Sequence, residues 1–125
     1  MENRPAIPPG RPYIERYGPG GFRIGGATFT GSVLILPDAA RIWPVTAMAA
    51  VTAESLTPAT EQGGVEILLL GCGQRIQPVP RRLREALRMA GIVIDAMDTG
   101  AACRTYNVLV SEQRRVAAAL LPMGA

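Results

Sequence analysis

The 125-residue chain contains no histidine, and all 13 of its basic residues are arginine, so lysine is missing as well. Without imidazole there is no histidine-based acid–base chemistry, no Ser-His or Cys-His nucleophile pair and no histidine-ligated zinc within this chain. Without an ε-amine there is no Schiff-base lysine and no P-loop lysine for a phosphate. Only two cysteines are present, Cys72 and Cys103. Two thiols make a disulfide framework a poor reading and suit a reducing compartment. Long hydrophobic runs are also absent: the longest candidates, Val65–Leu70 and Val116–Leu121, are strand-sized and far short of the ~18 apolar residues a membrane helix needs. The opening Met-Glu-Asn-Arg-Pro lacks the apolar stretch of a signal peptide. The expectation is a cytoplasmic protein with no transmembrane segment. The formal charge of +3 is too small a surplus to argue for a nucleic-acid partner.

What is present reads as one globular domain. Hydrophobic residues make up 48% and charged residues 18%, a balance that supports a core rather than disorder. The 14 glycines and 11 prolines demand many sharp turns. Proline density over residues 1–12 predicts a mobile N-terminal arm, and residues 13–125 form the domain. From Tyr13 to Pro37, glycines punctuate short β-branched and aromatic segments, the pattern of antiparallel hairpins. Ala40–Val45, carrying Trp43-Pro44, predicts an edge strand. After residue 50 the pattern changes. A short helix from Thr52 to about Glu61 is followed by the apolar strand Val65–Leu70, which exits through Gly71-Cys72-Gly73. Pro80 opens a helix whose apolar stripe is Leu83, Ala86, Leu87 and Ala90. A buried strand at Ile92–Ile94, a helix capped by Asp98 or Thr99 and running to about Val110, and a strand at Arg115–Leu121 complete the chain. Hairpins followed by α-β-α-β-α-β predict an α/β fold: a three-layer single domain with a mixed, largely parallel central sheet, flanking helices and N-terminal antiparallel β-hairpins.

Several features invite a functional reading, and each has a plainer one beside it. Parallel strands open their carboxyl ends on one edge, where crevices form. There Gly71, Cys72 and Gly73 would face the helix start Asp98, Thr99, Arg104, Thr105 and Asn107, a set able to hold a carboxylate or phosphate. The same residue types also serve as turn and caps. Gly71-x-Gly73 lacks the third glycine of a dinucleotide fingerprint, since Ile76 stands in its place. Cys72 between glycines is a thiol candidate, but with Cys103 it gives only two metal ligands and no activating base, so no catalytic residue and no metal site is assigned. Asp95 and Asp98 sit where a divalent cation is conceivable and where helix caps are needed. Arg81, Arg84 and Arg88 share a helix face that suits an acidic partner, or a solvated surface with an Arg81–Glu85 pair.

The second half resembles a known family. Ile67-Leu-Leu-Leu-Gly-Cys-Gly73, Pro80 before a helix, Gly91-Ile92, Met97-Asp-Thr-Gly-Ala-Ala102, Arg104-Thr-Tyr-Asn107, Glu112, Arg115 and Val116-Ala-Ala-Ala-Leu-Leu-Pro122 are similar to a small α/β family of largely uncharacterised proteins. The likeness takes in Phe22–Pro37 and Trp43 and spans about residues 13–122. Its mitochondrial member assists assembly of respiratory complex I, the NADH:ubiquinone oxidoreductase. The family commonly has threonine where this chain has Cys72, a departure that weakens a catalytic-thiol reading. The resemblance implies a three-layer domain, no established enzymatic activity and no assigned cofactor. Two functional expectations follow. One is a non-catalytic protein-binding module engaging a complex I assembly intermediate, reaching the membrane through that partner. The other is a small-molecule or anion binder, or an enzyme, working at the Gly71–Gly73 and Asp98–Asn107 crevice.

Overall fold

Glycine pairs set the first turns. In the computed structural model, which describes residues 10–124, β1 (Ile14–Gly18), β2 (Gly21–Ile24) and β3 (Ala27–Phe29) form an antiparallel three-stranded sheet. Gly25 and Gly26, both at positive φ (57° and 84°), make the two-residue turn between β2 and β3, a conformation that side chains resist. Ile14, Phe22 and Ile24 point inward and are buried, while Glu15, Arg16, Arg23 and Thr28 remain exposed.

The second sheet has five strands in the order β5-β4-β8-β6-β7. β4 (Val33–Ile35) pairs antiparallel with β5 (Ala40–Ile42) and with β8 (Val116–Leu120); β6 (Ile67–Gly71) lies parallel to β7 (Val93–Met97) and to β8. The parallel part is therefore the segment where helices alternate with strands, and the hairpin β4–β5 extends it antiparallel. β5 is an edge strand as expected, but it stops at Ile42 rather than Val45. Pro44 has no N–H for a ladder, and Trp43 is buried, its indole Nε1–H donating to the Ser55 carbonyl at 2.9 Å.

Three α-helices are described: α1 (Thr57–Gln62), α2 (Arg81–Met89) and α3 (Thr99–Ser111). α2 joins β6 to β7, and α3 then carries the chain back past β6 to β8. Crossovers of one hand running in opposite directions along the sheet put α2 and α3 on opposite faces. The packing follows: Leu83 and Leu87 of α2, with Leu56, Ala59 and Trp43, cover Leu34, Leu68, Leu70 and Ile94. On the other face Ala102, Cys103, Tyr106 and Val110 of α3, with Ile14, Phe22 and Ile24 of the small sheet, cover Val33, Ile35, Leu69, Val116 and Leu120. The domain is thus three-layered, a mixed sheet between α1 and α2 on one side and α3 with the hairpin sheet on the other. β8 is buried at every position, so its Ala117, Ala118 and Ala119 fill space on both faces.

Of the predicted arm, residues 1–9 lie outside the described residues. Gly10–Pro12 are held at two points, the Tyr106 hydroxyl donating to the Pro12 carbonyl (2.9 Å) and Arg11 donating to the Arg114 carbonyl (2.9 Å). The strand predicted over Ile92–Ile94 begins one residue later and runs on to Met97. The Ile92 amide is drawn back to the Leu87 carbonyl (2.9 Å) by the helix end, where Gly91 sits at φ 81°.

Candidate functional site

The carboxyl ends of β6, β7 and β8 meet on one edge, where the sequence places the Gly71-Cys72-Gly73 turn against the start of α3. The structure does bring these groups together, and they bond one another. The Thr99 amide donates to the Gly73 carbonyl (2.8 Å); its hydroxyl accepts the Gly73 N–H (2.8 Å) and donates to the Leu121 carbonyl (2.7 Å). One fully buried threonine thereby ties the exit of β6 to the exit of β8. The Cys72 N–H donates to Met97 (2.9 Å) and the Leu121 N–H to Gly71 (3.0 Å), closing the junction. Gly71 is needed for this approach: a Cβ there would lie 2.9 Å from both Thr99 Oγ1 and Leu120 Cδ2 and 3.1 Å from Thr99 Cα.

The two thiols are buried. Cys72 is 5% exposed, with its Sγ 3.8 Å from the Leu70 carbonyl. Burial pushes the Cys103 thiol up to about 12, outweighing the opposing influence of Arg104, so this group stays protonated at neutral pH. Asp98 is the N-cap of α3, its carboxylate accepting the Ala101 N–H at 2.9 Å. Among the described residues no group of three or more cysteine, aspartate and glutamate side chains is arranged to hold a metal ion.

Further along α3 the Arg-Thr-Tyr-Asn run ties down the start of the domain. Asn107 clasps one residue of β1 as a neighbouring strand would: the Ile14 N–H donates to its Oδ1 (3.0 Å) and its Nδ2 donates to the Ile14 carbonyl (2.8 Å). Tyr106 is fully buried and holds Pro12. Thr105 is half-buried, and Arg104 is exposed, donating to the Tyr17 hydroxyl at 2.9 Å. A primary amide offers one donor and one acceptor at the spacing of a strand residue, which is the signal that an asparagine beside a buried tyrosine on a helix carries.

The arginine helix divides by role. Arg81 pairs with Glu85 at 3.2 Å in the open, its side chain 91% exposed. Arg84 instead reaches the Ile94 carbonyl (3.0 Å) on β7, the outermost strand of the sheet. Arg88 is exposed. The sequence reading passed over Arg16 and Arg23, which lie directly opposite one another on β1 and β2 and line a shallow depression of about 360 Å³ with Gly18, Gly20, Gly21 and Thr28. Their juxtaposition is set by the hairpin register, which shifts between Ile14 and Arg16 and is not declared by the sequence.

Comparison with known proteins places this arrangement. Residues 14–121 match the family described as protein of unknown function (DUF498/DUF598), and the chain belongs to that family. It is 44% identical over 111 residues to an uncharacterised protein of Rhodobacter capsulatus, covering 88% of this chain and 84% of that one. It is 38% identical over 110 residues to the zebrafish (Danio rerio) protein named NADH dehydrogenase [ubiquinone] 1 alpha subcomplex assembly factor 3, covering 87% of this chain and 63% of that protein, which is thus the longer of the two. A Bordetella pertussis structure described as a Mth938-like domain superposes with a TM-score of 0.81 at 29% identity, over 99% of this chain and 94% of that one. The fold is the Mth938-like α/β fold.

Proposed function

We propose that this member of the DUF498/DUF598 family is a non-catalytic protein-binding module that assists the assembly of respiratory complex I. The observation that carries the reading is the likeness to proteins named as complex I assembly factors, which extends over 87% of this chain rather than over one motif. The strand-end junction lends it support from the other side. Its polar groups bond to the protein itself, and its thiols are buried. No described helix is long and apolar enough to cross a membrane, and in this reading the module meets a membrane-bound intermediate through a protein contact. The partner surface expected from the sequence, Arg81, Arg84 and Arg88, reduces to Arg81 and Arg88, because Arg84 is engaged with β7.

The test is deletion of the gene in its native host, followed by native-gel resolution of the respiratory complexes and an NADH:quinone activity assay on membranes. Accumulation of complex I subassemblies, reversed by the wild-type gene, is the expected result. Full-size, fully active complex I in the deletion strain overturns the reading. The alternative, an anion held at Gly71–Gly73 and Asp98–Asn107, rests on Arg104, the one cation of that set. It calls for a metabolite thermal-shift screen in which Arg104→Ala abolishes any stabilisation found.

A further inference from the structure

The small sheet has an outer face that packing does not explain. Arg16 is the direct cross-strand partner of Arg23, and Arg23 is the direct partner of Thr28, so one row across all three strands carries two guanidiniums and a hydroxyl on the same side. Like charges directly opposite one another destabilise an antiparallel pair. Among the described residues the carboxylate paired with this row is Glu15, 3.6 Å from Arg23, and its Oε1 already accepts the Gly26 N–H at 2.7 Å. Among the described residues Arg16 has no carboxylate within ion-pairing distance. The row borders the 360 Å³ depression, whose remaining lining is Tyr17, Phe22 and the backbone of Gly18, Gly20 and Gly21. One of these glycines is required: Gly21 sits at φ 136°, and a Cβ there would overlap the Phe29 carbonyl oxygen. Arg104 donates to the hydroxyl of Tyr17, which lines the depression.

We propose that this face is a docking groove for an acidic, extended segment of a partner protein, with carboxylates seated between Arg16 and Arg23 and against the Thr28 hydroxyl. Charge complementarity commits it to an acidic occupant, since guanidinium forks match carboxylates bidentately. The walls favour peptide over nucleic acid. Phe22 is buried and Tyr17 is partly buried with its hydroxyl bonded to Arg104, so this face offers little free aromatic surface for bases to stack on. The inference deepens the protein-binding reading by naming the surface and the chemistry of the partner, and it is tested independently of complex I.

The probe is a fluorescein-labelled, twelve-residue peptide alternating glutamate with glycine and serine, titrated with the full chain and read by fluorescence anisotropy at two salt concentrations. Binding that weakens with salt is expected, and Arg16→Gln/Arg23→Gln should lose at least tenfold in affinity. Arg41→Gln/Arg75→Gln, which removes the same charge at two exposed sites outside both surfaces, should stay within twofold. Amide shifts on peptide addition should centre on Gly18–Arg23 and Thr28, and matched circular dichroism and Tm values establish that the variants fold. Equal losses in the two double variants would reduce the effect to net charge and overturn the groove. So would absence of binding, or tighter capture of a single-stranded oligonucleotide at the same residues. A deletion strain with normal complex I would sink the assembly reading while leaving this result standing.

Discussion

Two regions of the molecule carry polar residues of the kinds that proteins use for chemistry, and they use them in opposite ways. At the junction of β6, β8 and α3, Thr99, Gly71 and Gly73 sit within hydrogen-bond or van der Waals contact of one another, buried, with their donors and acceptors matched. On the outer face of the hairpin sheet, Arg16, Arg23 and Thr28 stand in a row toward solvent. The difference teaches that a motif's residue types do not reveal whether its polar atoms are engaged. A buried hydroxyl with two partners is a fastening, and removing it costs stability. An exposed guanidinium beside another adds little to stability and leaves its hydrogen-bonding capacity for a partner.

The sharpest way to break the comparison is Thr99→Val. The change keeps shape but strips the buried Gly73 N–H and Leu121 carbonyl of a partner, each unsatisfied group costing about 1–3 kcal/mol. A fall of roughly 10 °C in Tm is expected from calorimetry. A loss indistinguishable from a surface substitution would mean that the junction is not a fastening. Gly71→Ala comes next, because its methyl group would press on Thr99 and Leu120 in a packed site, where overpacking costs about 1–3 kcal/mol. Urea unfolding should show a lower midpoint at unchanged m-value.

Asn107→Ala tests the second fastening. It removes both bonds to Ile14 from a half-buried site, and a loss of about 1–2 kcal/mol is expected from two hydrogen bonds of ordinary net value. Because the clasp holds β1, amide exchange at Ile14–Gly18 should accelerate more than exchange in β6 or β8. Uniform acceleration across all strands would show that the hairpin sheet does not open separately.

How much of this was legible follows from the same distinction. Apolar periodicity located α2 through Leu83 and Leu87, and the α-β alternation located the parallel strands, because burial is imposed by pattern over several residues. The boundary at Ile42 and the extension of β7 to Met97 were not legible. They depend on where Trp43 finds the Ser55 carbonyl and on which strand lies at the edge of the sheet. The strand-end cluster was legible as a juxtaposition, since a parallel sheet must open its ends on one side. That Thr99 would bond across to both β6 and β8 was not, because it rests on distances of a few tenths of an ångström. Arg16 and Arg23 went unread because their meaning lies in cross-strand register, and a glycine-rich turn with a bulge between Ile14 and Arg16 does not declare its register in sequence.

Cys103 offers a way to sharpen the comparison by pH. Its thiol rises from an ordinary value of 9.0 to about 12 on folding, chiefly through burial. The unfolded chain therefore releases this proton first. Below pH 9 both states keep it and the contribution to stability is complete; between about 9 and 12 only the unfolded state has lost it, and stability falls as pH rises. The slope is about 1.4 kcal/mol per pH unit. Unfolding free energies measured by urea from pH 8 to 10 should decline in the wild type more steeply than in Cys103→Ala. Tyr106 is shifted upward in the same sense and is present in both proteins, so it cancels from the difference. Parallel curves would mean that water reaches the thiol in the folded protein.

The smallest effects belong to α2, where two arginines three residues apart should part company. Arg81 pairs with Glu85 while 91% exposed, and exposed i,i+4 pairs contribute about 0.3–0.5 kcal/mol, so Arg81→Ala should move the urea midpoint barely beyond error. Arg84→Ala should cost more, because its guanidinium satisfies the Ile94 carbonyl on a strand edge that no other strand covers. Charge-assisted bonds of that kind contribute about 1.5–3 kcal/mol when desolvated and less at a half-buried site. The ordering matters more than either value. If Arg81→Ala and Arg84→Ala prove equal, the edge bond is exchanged freely for water, and all three arginines of α2 return to the surface available to a partner. If Arg84→Ala is the costlier, one arginine of the helix belongs to the fold, and only Arg81 and Arg88 remain for recognition.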